Sequence, residues 1–262
     1  RKGRMQTPVG YSEHDGDIYC GYCGRDKGHG HLPSCTQPTR VVLFSGGVAS
    51  YAAAKRTIEQ HGKEHTQLLF CDTCCEDADT YRFIQQAAGK LGVPLTILKD
   101  GRDIWSVFRA RRFLGNTRVD PCSEELKRWP TDKYMARFTP KTGIRVVGFT
   151  WTEGHRYDRM CARLAPWQVE APLIARPLLE KNEIIEMVKA DGIEPPRLYA
   201  LGASHNNCGG GVSRRAKRIS RGCSRPYPMC TPHGNAKKKR SGNSSARTCL
   251  SCAIAWAVRS SR

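Results

Sequence analysis

The chain has 262 residues, of which 39% are hydrophobic, enough for the core of one sizeable α/β domain. Its formal net charge is +19, since 43 Lys and Arg stand against 24 Asp and Glu. No apolar run approaches the ~20 residues of a membrane-spanning helix and no signal-peptide pattern is present, which argues against a membrane or secreted protein and favours the cytoplasm.

Residues 1–38 form a polar, Gly-rich extension that contains a candidate metal site. Three thiolates and one imidazole suit tetrahedral zinc. The spacing C-x2-C-x5-H-x5-C therefore predicts a short zinc knuckle, with these ligands: Cys20, Cys23, His29 and Cys35. His31 is an alternative to His29, and the other interpretation is a Cys-containing leader that binds no metal. The 13 cysteines favour metal or redox chemistry in a reducing cytoplasm over a disulfide scaffold, because the chain is long and the spacing is Cys-x-x-Cys.

Residues 39–211 alternate strand-like and helix-like segments. The predicted strands are Val41–Phe44, Gln67–Phe70, Pro94–Leu98 and Ile144–Phe149. The predicted helices are Ser50–His61, Asp77–Leu91, Ile104–Arg111, Glu124–Arg137 and Lys181–Ala190. This alternation predicts an α/β domain with a doubly wound, mostly parallel sheet and helices on both faces.

The first predicted strand runs directly into a Ser-Gly-Gly turn, VVLFSGGVAS. Gly46 and Gly47 permit backbone angles closed to other residues, so several N–H groups can point at one spot. Ser50 is the predicted N-cap of the following helix, whose dipole favours an anion there. Ser45–Ser50 is therefore a candidate phosphate or sulfate site. The alternative is an ordinary tight turn between strand and helix.

Charged side chains recur where later predicted strands end and in a connecting segment. CDTCCED brings Asp72 and Glu76, DPCSEELKRWP brings Lys127, and GFTWTEGHR brings Glu153 and Arg156. Each of them alone is typical of a solvated loop. Ligands of parallel sheets bind beyond the carboxyl ends of the strands, so the recurrence predicts a site at that edge.

The motifs occur in an order that resembles a known family. In chain order they are SGGVAS (45–50), FCDT (70–73), PCSEELKRWP (121–130), GFTWTEGHR (148–156), RPLLE (176–180) and PRLYALG (196–202). Over residues 40–210 this set resembles the phosphoadenylyl sulfate (PAPS) reductase-like branch of the adenine-nucleotide α-hydrolase superfamily. SHNNCGGG (204–211) looks most like uncharacterised phage and bacterial members.

The resemblance implies an adenine nucleotide, PAPS or ATP, as the ligand. The implied nucleotide- and phosphate-binding residues are Ser45, Gly46, Gly47, Ser50, Asp72, Lys127, Glu153 and Arg156. Lys127 and Arg156 would neutralise phosphate or sulfate charge, and Asp72 would orient the adenosine end. The chain departs from the family in two places: Ala49 stands where ATP pyrophosphatases usually have Asp, and the C-terminal Glu-Cys-Gly-Leu/Ile-His segment of the reductases is absent.

Two further cysteines, Cys122 and Cys208, are the candidate catalytic thiols. Iron–sulfur members of the reductase branch place a Cys pair and a later Cys-x-x-Cys in comparable places. This chain supplies one Cys at each place, so a four-thiolate iron–sulfur cluster is incomplete. A shared zinc site and two ordinary thiols are the alternatives.

Residues 212–262 form a basic tail with 13 Lys and Arg and no Asp or Glu, whereas the residues before it carry a net charge of only +6. Runs such as SRRAKR and KKKR are typical of nucleic-acid contacts. A second interpretation is coding read out of frame after Gly211. Codons chosen for residues 212–224 and read one base earlier can encode C-V-E-A-G-Q-A-H-F-A-W-L-L, which resembles the continuation of phage members. We therefore predict a frameshifted, disordered tail that cannot bury enough apolar surface to offset its chain entropy.

The leading functional prediction is a PAPS reductase-like oxidoreductase that reduces phosphoadenylyl sulfate to sulfite, with a thiol reductant such as thioredoxin as partner. One alternative is an ATP-dependent sulfurtransferase or nucleotide-transfer enzyme acting on nucleic acid. Another is a zinc-containing nucleic-acid-binding protein without catalysis. Sulfite release, pyrophosphate release and salt-sensitive DNA binding would distinguish the three.

Overall fold

The structure, a computed structural model, describes residues 11–14, 17–20, 37–114 and 119–207. Several sequence predictions lie outside these residues: those for Cys23, His29, Cys35, Cys208 and the tail 212–262. In the extension, strands β1 (Tyr11–His14) and β2 (Asp17–Cys20) pair antiparallel, and the predicted ligand Cys20 is the last residue of β2.

A five-stranded parallel sheet forms the centre of the domain. Its strands are β3 (Thr39–Leu43), β4 (Thr66–Asp72), β5 (Leu95–Lys99), β6 (Gly143–Val146) and β7 (Val169–Glu170). Their spatial order is β5-β4-β3-β6-β7, and every neighbouring pair is parallel. The four predicted strands are confirmed with shifted ends, and β7 was not predicted because two residues are too few to show a pattern.

Helices cover both faces of this sheet. They are α1 (Val48–His61), α2 (Ala78–Leu91), α3 (Ile104–Arg111), α4 (Pro121–Ser123), α5 (Trp129–Met135), α6 (Gly154–Leu164), α7 (Lys181–Ala190) and α8 (Arg197–Ala200). Val42 of β3 packs in a core with α1, α2 and α7, whereas Val41 packs with Met135 of α5 on the opposite face. The doubly wound α/β fold predicted from the sequence is confirmed. None of the described helices is long and apolar enough to cross a membrane.

The predicted start of the first helix was wrong by two residues. Helix α1 begins at Val48, and its N-cap is Gly47, whose backbone is extended (φ −100°, ψ 158°). Ser50 lies inside the helix, where its hydroxyl donates to the carbonyl oxygen of Gly47 at 2.7 Å. The helix starts earlier because the two glycines complete the turn by themselves, and Ser50 makes a hydrogen bond back along the chain instead of a cap.

The single helix predicted over Glu124–Arg137 is interrupted. A π-helical turn spans Glu124–Arg128, and the N–H of Trp129 donates to the carbonyl oxygen of Glu124. Pro130 follows at once, with no N–H to donate and a ring that crowds the preceding turn. A wider turn relieves that crowding, and turns of this kind are frequent at functional sites.

Candidate functional site

The strand order reverses between β3 and β6, and the segments that follow these two strands meet at that point. A Cβ placed on Gly148, just after β6, would lie 2.9 Å from the backbone N and Cα of Ser50. Only glycine allows this approach. In open α/β sheets, ligands bind beyond the carboxyl ends of the strands at such a switch point. The predicted loop and the GFTWTEGHR segment therefore share one edge.

The loop after β3 combines a left-handed glycine with an extended one. Gly46 has a φ of +74°, and a Cβ there would lie 2.7 Å from Cγ2 of Thr80. Within the described part of the chain, the backbone N–H groups of Gly46 and Gly47 have no hydrogen-bond acceptor. Ser45 is exposed beside them, and its hydroxyl lies 3.5 Å from that of Ser50. These donors sit at the positive end of α1, which suits an anion.

A segment from the far end of the domain holds this loop in place. The hydroxyl of Tyr199 accepts a hydrogen bond from the N–H of Val48 at 3.3 Å. Asn206 is 3% exposed, donates to the carbonyl oxygen of Gly46 at 2.7 Å and accepts from the hydroxyl of Thr80 at 3.2 Å. Asn206 was not among the predicted site residues, although it lies in the SHNNCGGG motif.

Asn206→Ala is expected to destabilise the domain by about 1–3 kcal/mol, because it leaves the buried carbonyl oxygen of Gly46 and the hydroxyl of Thr80 without these partners. Asn207→Ala is the matched control, since Asn207 is exposed and one residue away. Urea unfolding of both variants is the measurement. Equal stability of the two variants would show that Asn206 does not fix the loop.

Asp72 and Lys127 lie at the carboxyl edge of the sheet, as predicted, but both already contact other side chains or backbone groups of the protein. Asp72 is 6% exposed and accepts from the N–H of Cys74 at 2.8 Å and from the hydroxyl of Tyr81 at 2.7 Å. Lys127 lies on the π-helical turn, with its ammonium 3.4 Å from a carboxylate oxygen of Glu76. Asp72 thus shapes the turn after β4, while Lys127 carries its charge to the carboxyl edge.

Glu153 and Arg156 form an ion pair at the start of α6. Glu153 also completes a capping box, because its carboxylate accepts from the N–H of Thr150 at 3.1 Å. The guanidinium of Arg156 stacks on the ring of Phe149 at 4.6 Å and remains half exposed. This pair therefore lies on the rim, and the sequence did not predict the helix that presents it.

A cavity of about 190 Å³ opens on the α5 and α6 side of the sheet, next to Ser45. Its lining includes residues from the ends of β3 and β4, the π-helical turn, α5, β6 and α6. Its charged lining residues are Lys127, Arg128, Arg145, Arg163 and Asp132. Asp132 and the carboxylates of Glu76 and Glu124, which pair with Lys127 and Arg128, offset part of this positive charge. The remaining excess favours an anionic ligand. Neither Arg145 nor Arg163 was predicted from the sequence, in which the available signal was a lone Arg in the apolar run IRVVGF.

The described thiols near this edge are not activated. Burial raises the pKa of Cys71, which lines the cavity, and also those of Cys74 and Cys75. Cys122 is 7% exposed and donates its S–H to a carboxylate oxygen of Asp120 at 3.0 Å. Across the described residues, no group of three His, Cys, Asp or Glu is placed to hold a metal ion.

Glu125, on the π-helical turn beside Lys127, makes the site sensitive to acid. Hydrogen bonds from Arg111 and Arg102 hold the pKa of Glu125 below its ordinary value of 4.5, although burial opposes them. Because this pKa is lower in the folded state, the ionised Glu125 stabilises the fold above about pH 4.5. That stabilisation is lost as the pH falls through the pKa of the folded state.

Glu125→Gln is therefore expected to lose about 0.5–1 kcal/mol at neutral pH, because both arginines are half exposed and screened by water. Its unfolding free energy should fall less than that of the wild type between about pH 5 and pH 3. The control is Glu124→Gln, whose carboxylate lies 3.9 Å from Arg128 on the surface. Identical pH profiles for the wild type and Glu125→Gln would refute this role.

Comparison with known proteins gives structural likenesses only. No protein-family model and no curated protein matches the sequence. Among solved structures, the phosphoadenylyl-sulfate (PAPS) reductase from Candida auris, in a phosphate complex, is 13% identical, with 69% of this chain and 84% of that chain covered at a TM-score of 0.47. The NH3-dependent NAD synthetase from Campylobacter jejuni, in complex with the nitrate ion, is 18% identical, with 63% and 68% covered at a TM-score of 0.39. Likenesses at this level do not transfer a substrate or a reaction to this chain.

Proposed function

We propose that the chain is an enzyme that acts on an adenine nucleotide bound at the carboxyl edge between β3 and β6. One observation carries the proposal: a glycine loop at the positive end of α1 opens beside a cavity with four basic side chains and one acidic side chain. The ordered motifs that resemble PAPS reductase-like proteins support adenine nucleotides as the ligand class.

In this proposal the loop residues Ser45, Gly46 and Gly47 bind a phosphate or sulfate through their donors. Lys127 adds positive charge from the cavity wall, and Arg156 adds it from the rim. Ser50, Asp72 and Glu153 act indirectly, because their polar atoms already bond within the protein and shape the loop, the turn and α6.

The leading reaction is thiol-dependent reduction of phosphoadenylyl sulfate. A cysteine thiolate, for which we propose Cys208, bonds to the sulfur of the sulfuryl group while the bridging oxygen leaves with adenosine bisphosphate. One thiolate of a dithiol reductant of the thioredoxin kind then attacks the cysteine sulfur, and sulfite departs with the electron pair of the broken S–S bond. The second reductant thiol attacks the resulting mixed disulfide, which frees the cysteine thiolate and leaves the reductant as a disulfide.

ATP-dependent sulfur or nucleotide transfer is the second candidate. The observation that favours it is the state of the described thiols: burial raises the pKa of Cys71, Cys74 and Cys75, and Cys122 donates its S–H to Asp120. Transfer of an adenylyl group needs the phosphate-binding features but no thiolate at these positions.

Product analysis separates the two reactions. Sulfite release from phosphoadenylyl sulfate with a thiol reductant, lost in Cys208→Ala and kept in Cys161→Ala, supports reduction. Pyrophosphate release from ATP that survives Cys208→Ala supports the transferase. Both assays are run on the full chain and on a version with the reading frame restored after Gly211. Neither product above the background without enzyme, in either version, would contradict the proposed function.

A further inference from the structure

Arg145 is a buried arginine whose hydrogen bonding is incomplete. It lies on β6 with its side chain 3% exposed, and its Nη2 donates to Asp132 at 2.9 Å. Its Nε and Nη1 are buried, and neither has a hydrogen-bond partner among the described residues. Leaving a buried charged donor without an acceptor is costly, so such groups are normally paired.

Other buried arginines of the domain show what a purely structural role looks like. Arg56 donates to the carbonyl oxygens of Pro172, Ala175 and Pro177. Arg40 donates from Nε and Nη2 to Glu170, and its Nη1 contacts two further acceptors. Both terminal nitrogens of each have an acceptor in the fold, whereas Arg145 has an acceptor for one of its two terminal nitrogens and none for its buried Nε.

The surroundings of Arg145 favour a negatively charged acceptor. Arg145 lines the cavity beside Ser45, and its guanidinium lies 4.9 Å from the centre of the Trp167 ring. Burial lowers the pKa of Arg145 and the charge of Arg163 lowers it further, although Asp132 acts in the opposite direction. Two guanidinium groups close to each other and only one acidic side chain in the lining leave an excess of positive charge, which an oxyanion would balance.

We propose that Arg145 binds an oxyanion of the ligand inside the cavity, at a subsite distinct from the glycine loop. This inference rests on the proposed function only for what the whole ligand is. That ligand would be a nucleotide with one oxyanion at the glycine loop and another at Arg145. Phosphate and sulfate share the required chemistry. Nε and Nη1 are the donors left for that oxyanion, and Asp132 and Trp167 hold the guanidinium at the cavity wall.

Calorimetry with adenosine, ATP, adenylyl sulfate and phosphoadenylyl sulfate tests this inference on the full chain. Arg145→Gln is expected to weaken binding of the nucleotides by about tenfold to a hundredfold and to leave adenosine binding unchanged. A larger loss with phosphoadenylyl sulfate than with adenylyl sulfate assigns the oxyanion to the ribose phosphate, and equal losses assign it to the phosphosulfate. Unchanged nucleotide binding, or an equal loss for adenosine, would overturn the inference.

Three further variants keep the test decisive. Arg137→Gln removes an arginine that stacks on Tyr134 at 4.7 Å outside the cavity, and it should bind like the wild type. If Arg145→Gln does not fold, Arg145→Lys and Arg163→Gln replace it, with a smaller expected loss of about twofold to fivefold.

Thermal unfolding with inorganic sulfate shows whether the proposed function fails while the Arg145 subsite stands. In that case the wild type binds none of the nucleotides, but sulfate raises its unfolding midpoint and raises the midpoint of Arg145→Gln by less. If sulfate stabilises both proteins equally or neither, the Arg145 subsite is refuted as well.

Discussion

Replacing Gly148 with Ala is expected to destabilise the domain by about 2–3 kcal/mol. The added Cβ would lie 2.9 Å from the backbone of Ser50 and 3.0 Å from the carbonyl carbon of Ala49. These are backbone atoms in the first turn of α1, so no side-chain rotation relieves the overlap. The segment after β6 and the start of α1 must separate, which opens the edge at which the proposed ligand binds.

Gly154→Ala is the matched control for this prediction. A Cβ at Gly154 meets nothing within 4 Å, and Gly154 is the first residue of α6, six positions along the same segment. Alanine there should be neutral or stabilising by up to about 1 kcal/mol. Chemical unfolding of both variants measures the difference, and similar stabilities would show that α1 and the segment after β6 are not in close contact.

Gly47→Asp is expected to weaken nucleotide binding by more than about a hundredfold, a loss typical of removing a charge-assisted site. The new side chain starts 3.0 Å from the hydroxyl of Tyr199 and places a negative charge where the loop would hold an anion. Repulsion between the two anions and displacement of Tyr199 act in the same direction.

The control adds the same charge away from the loop. Gly89→Asp lies near the end of α2, where a Cβ meets nothing within 4 Å. Calorimetry with phosphoadenylyl sulfate and with ATP should show wild-type affinity for Gly89→Asp. Wild-type affinity for Gly47→Asp as well would place the nucleotide elsewhere.

Local sequence features predicted the elements whose ends are determined locally. Helices α3 and α7 have the predicted bounds, because Asp103 caps the first through the N–H of Ser106 and Glu180 forms a capping box with Glu183. The strands were recognisable because the central ones are buried on both faces and therefore continuously apolar. Helix α6 was missed because it has few apolar residues and Leu164 is its only buried one. A signal was nevertheless present, since Tyr157, Met160, Cys161 and Leu164 recur at helical spacing and pack in one cluster.

The candidate site was only partly predictable, because its completion depends on contacts between distant residues. The glycine loop follows from a local pattern, and its position at the carboxyl edge follows from the parallel sheet. Asn206, by contrast, reaches Gly46 across 160 positions of sequence, and Arg145 lies in a strand whose surroundings depend on α5 and α6. No local periodicity reveals that a charged residue in a strand will face a cavity.

A crystal structure of the full chain with phosphoadenylyl sulfate, and a second one with ATP, would test the proposed nucleotide site most directly. We expect phosphate or sulfate oxygens within ~3 Å of the backbone nitrogens of Gly46 and Gly47, and a further oxyanion on Arg145 in the cavity. A nucleotide bound at another surface, with neither the loop nor Arg145 in contact with it, would contradict the proposed site.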